Sequence, residues 1–231
     1  MTTSQHISSA IIQAEGILRA HARAQGDQYE TVYHLTPESL HRFEAGIPVE
    51  YQSATMPPKL RAIIAEEPVS IALLGPPGTG KTYLCWGVLR DDRQRQVRQL
   101  LDEGEVPKRD EKPIQWLHRM VERIVSSDRV KIISESAHIR YHRHDRDWLE
   151  NVSRWRGLLC IDDIGFTGKA DDWVVESIYH LANERRALGR KTMYTSNLSA
   201  DEMRSVFGAA VASRILGGAI VPVSGTDRRL A

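Results

Sequence analysis

Val69-Ser70-Ile71-Ala72-Leu73-Leu74-Gly75-Pro76-Pro77-Gly78-Thr79-Gly80-Lys81-Thr82 is the stretch that decides the fold. An apolar β-type run enters the pattern G-x-x-x-x-G-K-[ST], and an apolar helical pattern over Thr82–Leu89 leaves it. Strand, loop and helix in that order are the context in which this motif cradles phosphate. Glycines let backbone N–H groups turn inward as an anion nest. The helix N-terminus adds partial positive charge. Lys81 supplies a cation to the β- and γ-phosphates, and the Thr82 hydroxyl is an oxygen ligand for Mg²⁺. Gly75, Pro76, Pro77, Gly78, Thr79, Gly80, Lys81 and Thr82, with Tyr83 after them, are therefore the candidate ATP contacts.

Outward from the loop, β-type runs at Val130–Ser134, Leu158–Ile161, Thr192–Ser196 and Ala219–Val223 alternate with helical patterns at Ile114–Val125, Trp148–Trp155 and Trp173–Leu188. Such alternation predicts a three-layer α/β domain with a largely parallel sheet, starting near residue 46. Residues 91–112 carry six basic and seven acidic side chains and read as a solvated helix or an insertion rather than core. Residues 1–45 read as helical. Ile7, Ile11, Ala14, Leu18 and Ala22 form one apolar stripe. Thr36-Pro37-Glu38 has the form of a helix start and Gly46 that of a stop. This segment is either a partner-docking module or a cap packed on the main domain.

The 231 residues are 41% hydrophobic and 26% charged, with 31 Lys and Arg against 30 Asp and Glu. That balance excludes a disordered chain and a globally basic nucleic-acid coat. Two cysteines, Cys85 and Cys160, lie in apolar surroundings outside any C-x-x-C pair. They fit a reducing, cytoplasmic compartment rather than a disulfide scaffold. No apolar run approaches the roughly 18 residues of a membrane span, and the N-terminus lacks a secretory pattern.

Leu158-Leu159-Cys160-Ile161-Asp162-Asp163 is a buried-type strand ending in two carboxylates. Downstream of a phosphate loop, Asp162 is placed to hold Mg²⁺ and Asp163 to act as general base on the attacking water. Aspartate in place of glutamate shortens the reach, which predicts slow, switch-like turnover. Thr192–Ser196 ends at Asn197, beside the nucleotide in a parallel sheet and suited to orienting the hydrolytic water. Ser199 and Glu202 form a capping box for the helix that follows. Near that helix's end stands Arg214, either solvated or able to reach a γ-phosphate on a neighbouring subunit. The 17 residues after it are too few for a helical lid domain. Asp227-Arg228-Arg229 is a short basic tail.

Together these elements resemble the lid-less AAA+ ATPases of the DnaC/IstB group, over about residues 46–90 and 129–231. Thr195-Ser196-Asn197-Leu198-Ser199-Ala200-Asp201-Glu202-Met203 and Val211-Ala212-Ser213-Arg214-Ile215-Leu216 look like the group's T-S-N-L-S-x-x-E-L and V-x-S-R-L. Gly46-Ile47-Pro48-Val49-Glu50-Tyr51-Gln52-Ser53-Ala54 is similar to the G-I-P-x-R-Y-x-x-A box of helicase loaders, with Glu50 where the box has a basic residue. The resemblance implies adenine contacts at Ile47, Pro48 and Tyr51, a sensor at Asn197, an arginine finger in trans at Arg214 and a late sensor arginine at Arg229. It also implies a replicative hexameric helicase held by the N-terminal segment, assembly into a ring or spiral, and single-stranded DNA as a partner. Tyr141 and Arg143 are the candidate DNA contacts, in a stretch that otherwise reads as a solvated helical face. His138, His142 and His144 lack the cysteine or carboxylate set of a tetrahedral metal site. Trp86, Trp148, Trp155 and Trp173 read as packing residues. The expected task is ATP-dependent helicase loading. Its rivals are an IstB-like transposition helper on duplex DNA, an interaction switch with little hydrolysis, and a nucleoside kinase, against which Asp162-Asp163, Asn197 and Arg214 argue.

Overall fold

The computed structural model describes residue 16 and residues 43–66, 68–108, 111, 113–145, 147–165 and 172–226. The N-terminal helices expected before residue 43 and the tail arginines Arg228 and Arg229 lie outside the described residues. The described residues divide between two compact units. One comprises 55–88 and 129–226, the other 43–54 and 89–128.

The first unit is built on a parallel five-stranded sheet in the order β2-β3-β4-β1-β5. Its elements are α1 (Pro58–Ala65), β1 (Ser70–Leu74), the start of α2 (Lys81–Asp102), β2 (Val130–Ser134), α4 (Glu135–His144), α5 (Trp148–Arg154), β3 (Leu158–Asp162), α6 (Asp172–Ala187), β4 (Thr192–Ser196), α7 (Ala200–Leu216) and β5 (Ala219–Pro222). β1 and β4 are buried at every position, as strands in the middle of a parallel sheet are. Leu159, Ile161, Tyr194, Ile178, Leu181, Met203, Phe207 and Ile215 form the core, with Trp148, Trp155 and Trp173 packed against it. α7 starts at the expected capping box and kinks at Gly208. Adjacent strands β1, β3 and β4 bring three chain segments to one end of the sheet, with Leu74 in register with Ser196.

The second unit corrects the expectation for residues 91–112. The helix expected to end at Leu89 continues as α2 to Asp102, and its later turns carry core side chains. Val97, Leu100 and Leu101 pack with Phe43 and with Trp116, Leu117, Met120, Val121 and Ile124 of α3 (Pro113–Ser126). The charges that suggested a solvated face are largely paired. Arg93, only 2% exposed, forks onto both Asp128 oxygens at 2.7 and 2.8 Å and donates to the carbonyls of Phe43 and Ala45. Arg90 donates to the carbonyl of Ala54. Two arginines one turn apart thus tie the Phe43–Ala54 segment to α2.

Candidate functional site

The loop between β1 and α2 runs where the motif placed it. A Cβ on Gly75 would stand 1.9 Å from the Val223 carbonyl oxygen, so only glycine fits beside the chain leaving β5. Gly80, at φ +95°, turns the chain into α2 through a region closed to most side chains. Thr79 is buried, with its hydroxyl on the Pro76 carbonyl at 2.8 Å. Tyr83 is half-buried on the first turn of α2.

Lys81 is 6% exposed, and its ammonium donates to the carbonyls of Gly75 and Pro76 at 2.7 Å each and to Asn197 Oδ1 at 2.8 Å. The amide nitrogen of Asn197 donates to Asp163 Oδ1 at 3.0 Å. One carboxamide therefore bridges the loop lysine and the second strand-end carboxylate. The Thr82 hydroxyl lies 2.9 Å from Asp162 Oδ2 and 3.1 Å from Oδ1. Lys81, Thr82, Asp162, Asp163 and Asn197 are thus joined into one set, drawn from α2, β3 and the end of β4.

Three consecutive residues of β4 and its exit bond to the chain that leaves β3. Thr195 donates to Asp162 Oδ1 at 2.6 Å and accepts the Asp163 N–H at 2.8 Å. Ser196 donates to the Ile164 carbonyl at 2.7 Å. Asn197 takes the Asp163 side chain. Asp163 sits at φ +62°, in the left-handed region that aspartate tolerates better than most residues. Sequence reasoning assigned a role only to Asn197. The signal for the others was present, since the hydroxyl residues Thr195 and Ser196 stand directly before Asn197 at the end of the strand.

The oxygens of Asp162 and Thr82 are the hard, neutral or anionic donors that Mg²⁺ takes, and their number suits it. Mg²⁺ is usually held by one or two protein oxygens, with waters and substrate phosphates completing the shell. Among the described residues no cluster of three or more His, Cys, Asp or Glu side chains forms a protein-only metal cage.

In the second unit, Pro48 precedes and Tyr51 ends a short 3-10 turn over Val49–Tyr51, and Ile47 is buried. Arg214, on the last turn of α7, donates to Asn183 Oδ1 at 2.9 Å, to the Tyr179 hydroxyl at 3.1 Å and to the Ala210 carbonyl at 2.9 Å. Its guanidinium lies 4.5 Å from the Tyr179 ring centre. It is latched to α6 rather than left solvated. Tyr141 is 44% exposed and stacks on Trp148 at 4.8 Å, while Arg143 lies 4.7 Å over Trp173.

A polar relay beneath that surface was not foreseen. Trp148 Nε1 donates to His138 Nδ1 at 3.2 Å, and Ser177 Oγ lies 2.8 Å from both His138 Nε2 and His142 Nδ1. Indole can only donate, so neutral His138 carries its proton on Nε2 and donates a hydrogen bond to Ser177 Oγ, whose own hydroxyl donates to His142 Nδ1. Burial, and secondarily the nearby His142, pushes His138 down to about 4. Burial, and secondarily His180, also lowers His142.

No protein-family model matches the chain, and no curated protein matches it in sequence. Solved structures do match in fold. The crystal structure of the DnaC helicase loader aligns with a TM-score of 0.52 at 16% identity, covering 77% of this chain and 100% of that one. A DnaI crystal structure aligns at 0.49 and 18% identity, covering 82% and 100%. AMPPCP-bound DnaA from Aquifex aeolicus aligns at 0.48 and 17% identity, covering 84% of this chain. The chain spans about half the length of that DnaA, 53%. With the phosphate-loop strand, the parallel sheet order and the DnaC alignment in agreement, the domain has a three-layer α/β P-loop fold that it shares with the DnaC helicase loader.

Proposed function

We propose that the chain is an ATPase that loads a replicative hexameric DNA helicase onto single-stranded DNA, with ATP binding and hydrolysis controlling assembly and release. The observation that carries this reading is the joined set Lys81, Thr82, Asp162, Asp163 and Asn197 at the sheet end of a DnaC-type fold. The G-I-P box at residues 46–54 tilts it toward a loader rather than an IstB-like helper.

In this reading Lys81 exchanges its bonds to two loop carbonyls and Asn197 for phosphate oxygens, and the loop N–H groups bind the rest of the phosphate chain. Thr82 and Asp162 hold Mg²⁺, which when bound neutralises charge on the phosphates. Asn197 orients Asp163, which takes the proton of the attacking water. The short aspartate reach makes turnover slow. Arg214 serves a neighbouring site in a ring or spiral, and to do so it leaves Tyr179 and Asn183. Pro48 and Tyr51 contact adenine and Arg229 the nucleotide. Residues 1–45 dock the helicase, and Tyr141 and Arg143 touch DNA. The protein acts in the cytoplasm, where the buried free thiols Cys85 and Cys160 stay reduced.

Light scattering on a sizing column with ATP and the host's replicative helicase tests this reading. The full chain is compared with one cut just before Phe43, because Phe43 belongs to the second core. A complex lost on truncation supports the loader and assigns the segment. No complex, with ATP-dependent assembly on duplex DNA instead, replaces it with the transposition helper.

A further inference from the structure

We infer that Thr195 is the positioning residue that sets which oxygen of Asp162 is presented to the metal of bound nucleotide. The inference rests on the proposed ATP site and deepens it. Thr195 is 1% exposed in the middle of the sheet, in register with Leu73 of β1. Its single hydroxyl proton goes to Asp162 Oδ1 at 2.6 Å, the shorter and therefore stronger of that oxygen's two hydroxyl contacts. Oδ1 is thereby engaged from the β4 side. Oδ2 is left facing the Thr82 hydroxyl at 2.9 Å, the other proposed metal-holding group.

The same Thr195 oxygen accepts the Asp163 N–H at 2.8 Å. That bond pins the one described non-glycine residue with positive φ, immediately after the carboxylate. The Thr195 main-chain carbonyl takes the next N–H, from Ile164, at 2.9 Å. One residue on β4 thus fixes three consecutive residues, Asp162, Asp163 and Ile164, at the end of β3. The β-branched side chain explains why threonine suits the place better than serine. Its χ1 is stiff, so the methyl holds the hydroxyl on the carboxylate. Groups that orient a ligating carboxylate typically govern metal affinity by 10- to 100-fold.

The test uses the full chain with a non-hydrolysable ATP analogue and Mn²⁺ as the spin-active stand-in for Mg²⁺. Metal affinity is read by electron paramagnetic resonance, and analogue affinity is read separately in EDTA. Thr195→Val keeps the shape and removes both side-chain bonds. It is expected to weaken Mn²⁺ binding about 10- to 100-fold while analogue affinity in EDTA stays within about twofold. Thr195→Ser, which restores the hydroxyl, is expected to recover most of the loss. A general packing role would move both affinities together and would not be rescued by serine. Should Thr195→Val fold poorly, Thr195→Ala carries the same expectation. Unchanged Mn²⁺ affinity in the folded Val or Ala variant, with tight binding by the wild type, overturns the inference. Unchanged Mn²⁺ affinity in Asp162→Asn instead removes Asp162 from the metal site and takes the inference with it.

Discussion

Arg185 offers the sharpest test of how this domain is held together. It lies on α6 with no exposed surface, and all five of its N–H groups are used. Nε donates to Thr192 Oγ1 at 2.8 Å. Nη1 reaches the carbonyls of Val152 and Trp155 at 2.8 and 3.0 Å, and Nη2 those of Gly157 and Lys191 at 2.9 and 2.7 Å. Val152 and Trp155 end α5, so the guanidinium satisfies carbonyls that a helix terminus leaves without intrahelical partners. The remaining acceptors stand at the starts of β3 and β4. Burial lowers Arg185 to about 10, which still leaves it charged at neutral pH. Five charge-assisted bonds at about 1.5 kcal/mol each set a ceiling near 8 kcal/mol. Desolvating the cation costs several kcal/mol that its removal returns. Arg185→Ala is therefore expected to cost about 3–5 kcal/mol, out of a total that is roughly 5–15 kcal/mol for a domain. Arg185→Lys, with three donors, is expected to cost about half that. Urea unfolding followed by tryptophan fluorescence measures both, and the nucleotide affinity of whatever remains folded should not change. A loss under about 1 kcal/mol in Arg185→Ala would mean the five bonds merely break even with solvation, and the reasoning would fail.

Asn197→Ala leaves nucleotide binding intact and is expected to slow hydrolysis about 100-fold, read by phosphate release against nucleotide affinity; equal losses in both would make it a binding residue. Lys81→Ala should abolish nucleotide binding, measured by titration calorimetry, and retained binding would sink the phosphate-loop assignment. His138 sits at about 4 in the folded chain against an unfolded value near 6.5, so the unfolded state binds the extra proton as pH falls through that window. Stability is thus present above about pH 6.5 and falls by up to about 3 kcal/mol by pH 4, and His138→Gln should flatten that slope in denaturant titrations. Cys85 and Cys160 are fully buried, and Cys85 is raised by its contact with Cys160 and by burial, so neither should react with a thiol reagent until the chain unfolds, and fast labelling of native protein would contradict the packing.

What could be read from sequence was what is written locally along the chain. The five strands came from apolar runs, the phosphate loop from a spacing, and the cap of α7 from Ser199 and Glu202 three positions apart. Each is a pattern whose physics is complete within a few residues. Residues 91–112 misled because charge count was taken for exposure, and the pairing of Arg93 with Asp128 spans 35 positions. The relay through Ser177 joins α6 to α4 across 39 positions, and no period or spacing announces it. Thr195 shows where the boundary falls. Its type and place in a buried strand were plain, but its meaning depends on a carboxylate 33 residues earlier, brought alongside only because β3 and β4 are neighbours in the sheet. In a parallel sheet, residues that end adjacent strands act on one another, so a hydroxyl at the end of a buried strand is best weighed against the carboxylate that ends the next. Thr195 follows that rule with Asp162, while Ser196 on the Ile164 carbonyl and Asn197 on the Asp163 carboxylate extend the contact between the two strand exits.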